Sequence, residues 1–133
     1  MESKPKKILL VDDDEELCEE MAGILIEEGY AVTTAFEGLQ GKTLLEKNAY
    51  DLVLLDIKMP GLNGIEVLKH AKEKKFPGKY VIITGGVAED ENSNSVKVAV
   101  SEPDQEIVKL ADAIIGKPFN VVAILEKIQE LLG

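Results

Sequence analysis

Arginine and tryptophan are absent from this 133-residue chain, and cysteine and histidine occur once each, as Cys18 and His70. A lone cysteine closes no internal disulfide, and no Cys/His spacing suits a metal, which excludes disulfide scaffolds and zinc fingers. Without arginine the planar fork that grips carboxylates, phosphates and guanine edges in pairs is missing. Any anion must therefore be met by lysine, hydroxyl or backbone N–H groups. No apolar run approaches the roughly 18 residues that cross a bilayer, so no membrane insertion is expected. The basic start, Met1 to Lys7, leads into four apolar residues and then three aspartates. That is too short for the apolar region of a secretory signal, and a cytoplasmic protein is expected.

What the chain has in excess is acid. Aspartate and glutamate number 25 against 15 basic residues, a formal net charge of -10, which repels a phosphate backbone and argues against direct nucleic-acid binding. Its length and 45% hydrophobic content fit one compact domain spanning residues 1–133.

Lys7 to Val11 is a short leucine and β-branched run that ends at acids, the pattern of a strand buried on both faces. The period then changes: Leu17, Met21, Ile24 and Leu25 recur at helical spacing behind Asp14, with acids in the early turns, and Gly29 ends that helix. Further strands are predicted at 30–36, 51–56, 80–84 and 113–115. Helices are predicted at 37–47, 65–75 and 121–132, with Met59-Pro60-Gly61 as a turn. Strands alternating with helices predict an α/β fold, a doubly wound five-stranded parallel sheet with helices on both faces. Ligands of such sheets bind beyond the carboxyl ends of the strands. Here those ends carry Asp12 and Asp13, Asp56, Thr84, and Lys117-Pro118.

Three carboxylates at one rim repel each other, a cost that a hard divalent cation such as Mg²⁺ offsets. Asp56 follows four apolar residues, so its carboxylate leaves a nearly dry strand end, where a cation and an ammonium can tune it as a nucleophile. An attacking carboxylate makes an acyl phosphate. The oxygens of the incoming phosphoryl group would be neutralised by Mg²⁺, by Lys117 and by the Thr84 hydroxyl.

This order of residues resembles the receiver domain of two-component response regulators, the CheY-like superfamily with its flavodoxin-like fold, over residues 6–132. The resemblance implies that Asp12, Asp13, Asp56 and the Lys58 main-chain carbonyl hold Mg²⁺, with Mn²⁺ as an alternative. It also implies that Asp56 accepts phosphate from a sensor histidine kinase or phosphotransfer protein, that Thr84 shifts toward the phosphoryl group, and that Lys117 bonds it. The Lys117-Pro118 peptide would be cis, and Lys58 and Gly86 would occupy positions that modulate hydrolysis of the phosphoryl group.

Two departures from that pattern stand out. Thr84 and Lys117 are 33 residues apart, farther than receivers usually place them. Residues 85–101 are therefore expected to hold an insertion or irregular loop, mobile through Ser95, with Val96 to Val100 either a helical turn or an extended piece. Ser101 is the expected cap of a short or displaced fourth helix with Pro103 in its first turn. Ile114 stands where the family places an aromatic residue, so the usual rotamer switch is missing.

Plainer roles are expected elsewhere. Asp14 caps the first helix, His70 lies on the exposed side of the third and is no phosphodonor, and Cys18 is a surface or semi-buried thiol. Lys69, Lys72, Lys74, Lys75 and Lys79 form a solvated face. The expected function is that of a stand-alone receiver, a monomer or weak dimer signalling by protein contact to an unknown target and catalysing only its own phosphorylation and dephosphorylation. Two alternatives compete: a degenerate receiver acting as a constitutive interaction module, and a small aspartate-nucleophile phosphatase of the haloacid dehalogenase type. The second expects an aspartate two residues after the nucleophile, where this chain has Lys58.

Overall fold

A computed structural model describes residues 4–59, 61–84, 87–89, 96–98, 102–116 and 120–132. Its strands are β1 (Lys7–Val11), β2 (Ala31–Ala35), β3 (Leu52–Asp56), β4 (Lys79–Thr84), β5 (Val87–Glu89), β6 (Val96–Val98) and β7 (Ala113–Gly116). The helices are α1 (Glu15–Glu27), α2 (Gly38–Lys47), α3 (Gly64–Glu73), α4 (Glu102–Val108) and α5 (Val121–Leu132). Five strands form one all-parallel sheet in the order β2-β1-β3-β4-β7. The order reverses between β1 and β3, and a crevice opens beyond the carboxyl ends of strands at such a reversal.

Strands β1, β3 and β4 are apolar on both faces because helices cover both, and pleating sends alternate side chains to opposite sides. Leu9, Val11, Val53, Leu55 and Ile82 pack with α2, α3 and α4. Ile8, Leu10, Leu52, Leu54, Val81 and Ile83 pack with α1 and α5. The outer strand β2 instead alternates between exposed and half-buried residues up to the buried Ala35.

The stripe that α1 buries is rotated from the predicted one. Its inward residues are Cys18, Met21 and Leu25, and Leu17 is only partly covered. Cys18 is fully buried, which corrects the expected surface or semi-buried thiol: a small apolar side chain fits where the helix lies close to the end of β1. His70 is likewise not simply exposed. Its Nε2 is 3.0 Å from Glu46 Oε1, tying α3 to α2, and its ring meets Phe76 edge-on at 5.7 Å. Lys72 departs from the solvated lysine face, its ammonium lying 5.0 Å from the centre of the Tyr80 ring.

Between β4 and α4, where an irregular loop is expected, the described residues form a pair of short strands. Val87–Glu89 pairs antiparallel with Val96–Val98, which settles the latter as extended. Residues 85–86, 90–95 and 99–101, and with them Gly86 and the Ser101 cap, lie outside the described residues. The fourth helix is short, at seven residues. Ile114 is half-buried against the α2/α3/α4 side of the core.

Candidate phosphoacceptor site

Each acid of the rim is held by a different local device. Asp12 continues β1: its N–H donates to the Ala35 carbonyl at 3.0 Å, and its Oδ1 accepts the Asp14 N–H at 3.0 Å. Its main-chain carbonyl accepts the Cys18 thiol at 3.3 Å, so the buried cysteine braces the backbone that carries the acid. Asp13 is exposed. Asp14 has left the rim to cap α1, accepting the Leu17 N–H at 3.1 Å, as its position before an acidic first turn predicts. One run of three aspartates thus divides into two rim acids and a cap.

Asp56 is the last residue of β3 and only 4% exposed. Its Oδ1 lies 3.4 Å from the Lys58 N–H, and Asp56 pairs with Ile83 on β4. The next residue of β4 is Thr84, also buried, which brings a hydroxyl residue to the neighbouring strand end. The start of α3 lies directly on the Asp56 backbone. A Cβ on Gly64 would fall on the Asp56 carbonyl oxygen and 2.8 Å from its carbon. A Cβ on Gly38, at the start of α2, would fall on the Leu62 carbonyl. The segment joining β3 to α3, which carries Lys58, is thereby pressed between two glycines.

Asp12, Asp13 and Asp56 each present one carboxylate oxygen, and the three oxygens lie within 4.8 Å of one another. Three hard oxygen donors this close, two of them on buried residues, match what Mg²⁺ requires of a protein: a few carboxylates with room for water. The acid cluster expected from the strand ends is therefore assembled. Lys117 and Pro118 lie outside the described residues.

A groove of about 640 Å³ lies not at this rim but at the amino ends of the strands. Carboxylate chemistry, rather than concavity, marks the site at the carboxyl ends. Sequence reasoning missed the brace from Cys18 and the two close approaches. The only available signal was a glycine immediately after Asn63, which caps α3 by accepting the Glu66 N–H at 3.0 Å.

Fold and rim together define a doubly wound α/β module with a cation-competent acidic cluster at its switch point. A family model, the response regulator receiver domain, matches residues 8–129, and the chain belongs to that family of two-component signalling proteins. It is 31% identical over 126 residues to the regulatory protein VanRB of Enterococcus faecalis, covering 95% of this chain and 52% of that protein. It is 38% identical over 129 residues to a CpxR homologue of Haemophilus influenzae, a transcriptional regulatory protein, covering 95% and 50%. The chain spans about half the length of the curated relatives it matches. Among solved structures, a CheY-like receiver from Methanospirillum hungatei superposes with a TM-score of 0.80 at 33% identity, covering 96% of this chain and 94% of the other. The response regulator TrrA of Thermotoga maritima, solved in complex with Mg²⁺ and BeF, gives a TM-score of 0.75 at 33% identity, covering 96% and 99%. No helix among the described residues is long and apolar enough to cross a membrane.

Proposed function

We propose that this receiver accepts a phosphoryl group on Asp56 from the phosphohistidine of a histidine kinase or phosphotransfer protein, and reports it through protein contacts in the cytoplasm. The observation that carries this reading is the buried Asp56 carboxylate at the end of β3, within 4.8 Å of carboxylate oxygens from Asp12 and Asp13. Asp12, Asp13, Asp56 and the Lys58 main-chain carbonyl would hold Mg²⁺ or Mn²⁺, which supplies positive charge against the crowded acids and the phosphoryl oxygens.

The chain's own part is positioning. A carboxylate oxygen of Asp56 attacks phosphorus in line with the P–N bond. The new P–O bond forms as the imidazole nitrogen leaves with the electron pair. The Thr84 hydroxyl donates to a phosphoryl oxygen and is drawn toward it, while the Lys117 ammonium pairs with another. Burial of Asp56 limits the approach of the water that would hydrolyse the acyl phosphate. Lys58 and Gly86 set how far that protection goes. Such a receiver catalyses nothing beyond its own phosphorylation and dephosphorylation.

Adding beryllofluoride with Mg²⁺ and recording amide spectra tests this reading. Shifts should appear around Asp12, Asp56 and Thr84 and vanish in Asp56→Asn. Unchanged spectra in the wild type would refute it and favour the constitutive interaction module.

A further inference from the structure

The groove at the amino ends of the strands has a charge that the rest of the molecule does not predict. Four exposed lysines, Lys4, Lys6, Lys7 and Lys79, line it in a chain whose net charge is -10. The one acid among the lining residues, Asp51, is built into the floor. Its Oδ2 accepts the Lys7 N–H at 2.7 Å, its own N–H donates to the Lys7 carbonyl at 2.8 Å, and its carbonyl accepts the Lys79 N–H at 2.9 Å. Asp51 therefore fixes the bases of two of the lysines while spending part of its carboxylate on backbone. The groove's remaining walls include Pro5, Pro77, Leu131 and Leu132, apolar surface between the ammonium groups.

We propose that this groove docks an acidic, leucine-containing peptide segment of a protein partner. Lys7 and Lys79 stand on β1 and β4 with β3 between them, and pleating sends their side chains to opposite faces of the sheet, so an extended acidic segment crossing the strand ends meets an ammonium group on each side. The apolar walls take the intervening side chains. The chain's overall acidity does not prevent this docking. The acidic rim lies a strand length away, about 17 Å, against a screening length of about 8 Å at physiological salt, and within the lining itself four ammonium groups stand against one carboxylate. A nucleic-acid strand long enough to gain from counterion release would run out of the groove across acidic surface, which disfavours it. Because the groove and the phosphoacceptor rim occupy opposite ends of the sheet, a partner held here leaves Asp56 open to its phosphodonor.

Fluorescence anisotropy with a labelled twelve-residue peptide of alternating Glu and Leu tests the proposal on the full chain. The peptide should bind, and binding should weaken at least tenfold in Lys6→Glu/Lys79→Glu but not in Lys69→Glu/Lys109→Glu, which changes net charge equally. It should also weaken several-fold between 50 and 300 mM NaCl, and the wild-type amide shifts it causes should fall at residues 4–7, 49–51 and 77–79. The proposal is overturned by equal binding of the Gln/Leu analogue, by equal loss in both double variants, by shifts elsewhere, or by no binding at millimolar peptide. Competition by inorganic pyrophosphate at the peptide's own affinity also overturns it, in favour of a small-anion site. None of these results bears on phosphorylation of Asp56.

Discussion

Replacing Gly64 by alanine changes one methyl group and should disable the site without touching any charged residue. The added Cβ would sit 2.8 Å from the Asp56 carbonyl carbon and closer still to its oxygen. Backbone atoms cannot turn aside as a side chain can. The carbonyl oxygen is the tighter contact, and restoring an ordinary carbon–oxygen separation there moves the end of β3, or the start of α3, by about 1 Å. Overpacking of this kind costs typically about 1–3 kcal/mol of stability. The functional cost should be larger than that suggests, because misplacing a reacting group by about 1 Å can lower a rate on the order of a hundredfold. Phosphorylation by acetyl phosphate, followed by intact mass, should thus slow by roughly ten- to a hundredfold in Gly64→Ala at a temperature where the variant remains folded. Gly23→Ala is the control. It lies mid-helix in α1 with nothing within 4 Å of its Cβ, so it should gain about 0.5–1 kcal/mol and phosphorylate at the wild-type rate. A Gly64→Ala protein labelled as fast as Gly23→Ala would refute the claim that α3 positions Asp56.

Two further outcomes follow from the electrostatics. Asp13→Asn removes one of three crowded charges at the exposed side of the rim. It should leave the metal-free protein at least as stable as the wild type while weakening Mg²⁺ binding several-fold, read by urea melts in chelator and by Mg²⁺ titration. Burial, with the Asp112 carboxylate adding to it, pushes the Tyr80 phenol up to about 12. Above pH 10 the unfolded chain gives up this proton while the folded chain keeps it, so the contribution is whole below pH 10 and is lost as pH rises toward 12. At pH 11 the wild type should have lost on the order of 1 kcal/mol, relative to pH 9, that Tyr80→Phe does not lose; equal losses in urea melts would contradict the assignment.

How far the sequence spoke for the structure depended on whether a feature was local. The apolar run Leu52 to Leu55 and the acid that follows it could mean little other than a doubly covered strand with a polar end, and β3 lies there. The order of strand-end residues predicted the acid cluster because the sheet topology converts sequence order into neighbourhood. The stripe of α1 was read one position off. Cys18 counts weakly as apolar, and Ile24 and Ile26 offered a competing face, yet Ile26 is 56% exposed. The β5–β6 hairpin was hidden because each strand has only three residues and the residues between them have the composition of a loop. The close approaches at Gly38 and Gly64 are tertiary facts, which no periodicity encodes. Asp51 looked like the edge of a strand and proved to join β1, β3 and β4 at their amino ends.

The most direct test treats the protein with acetyl phosphate, reduces any acyl phosphate with borohydride and maps the peptides. Residue 56 should be converted to homoserine in Mg²⁺ and remain aspartate in excess chelator. Conversion at another acid, or equal conversion at residue 56 without a divalent ion, would contradict an account in which Asp12 and Asp13 ready Asp56 by holding that ion beside it.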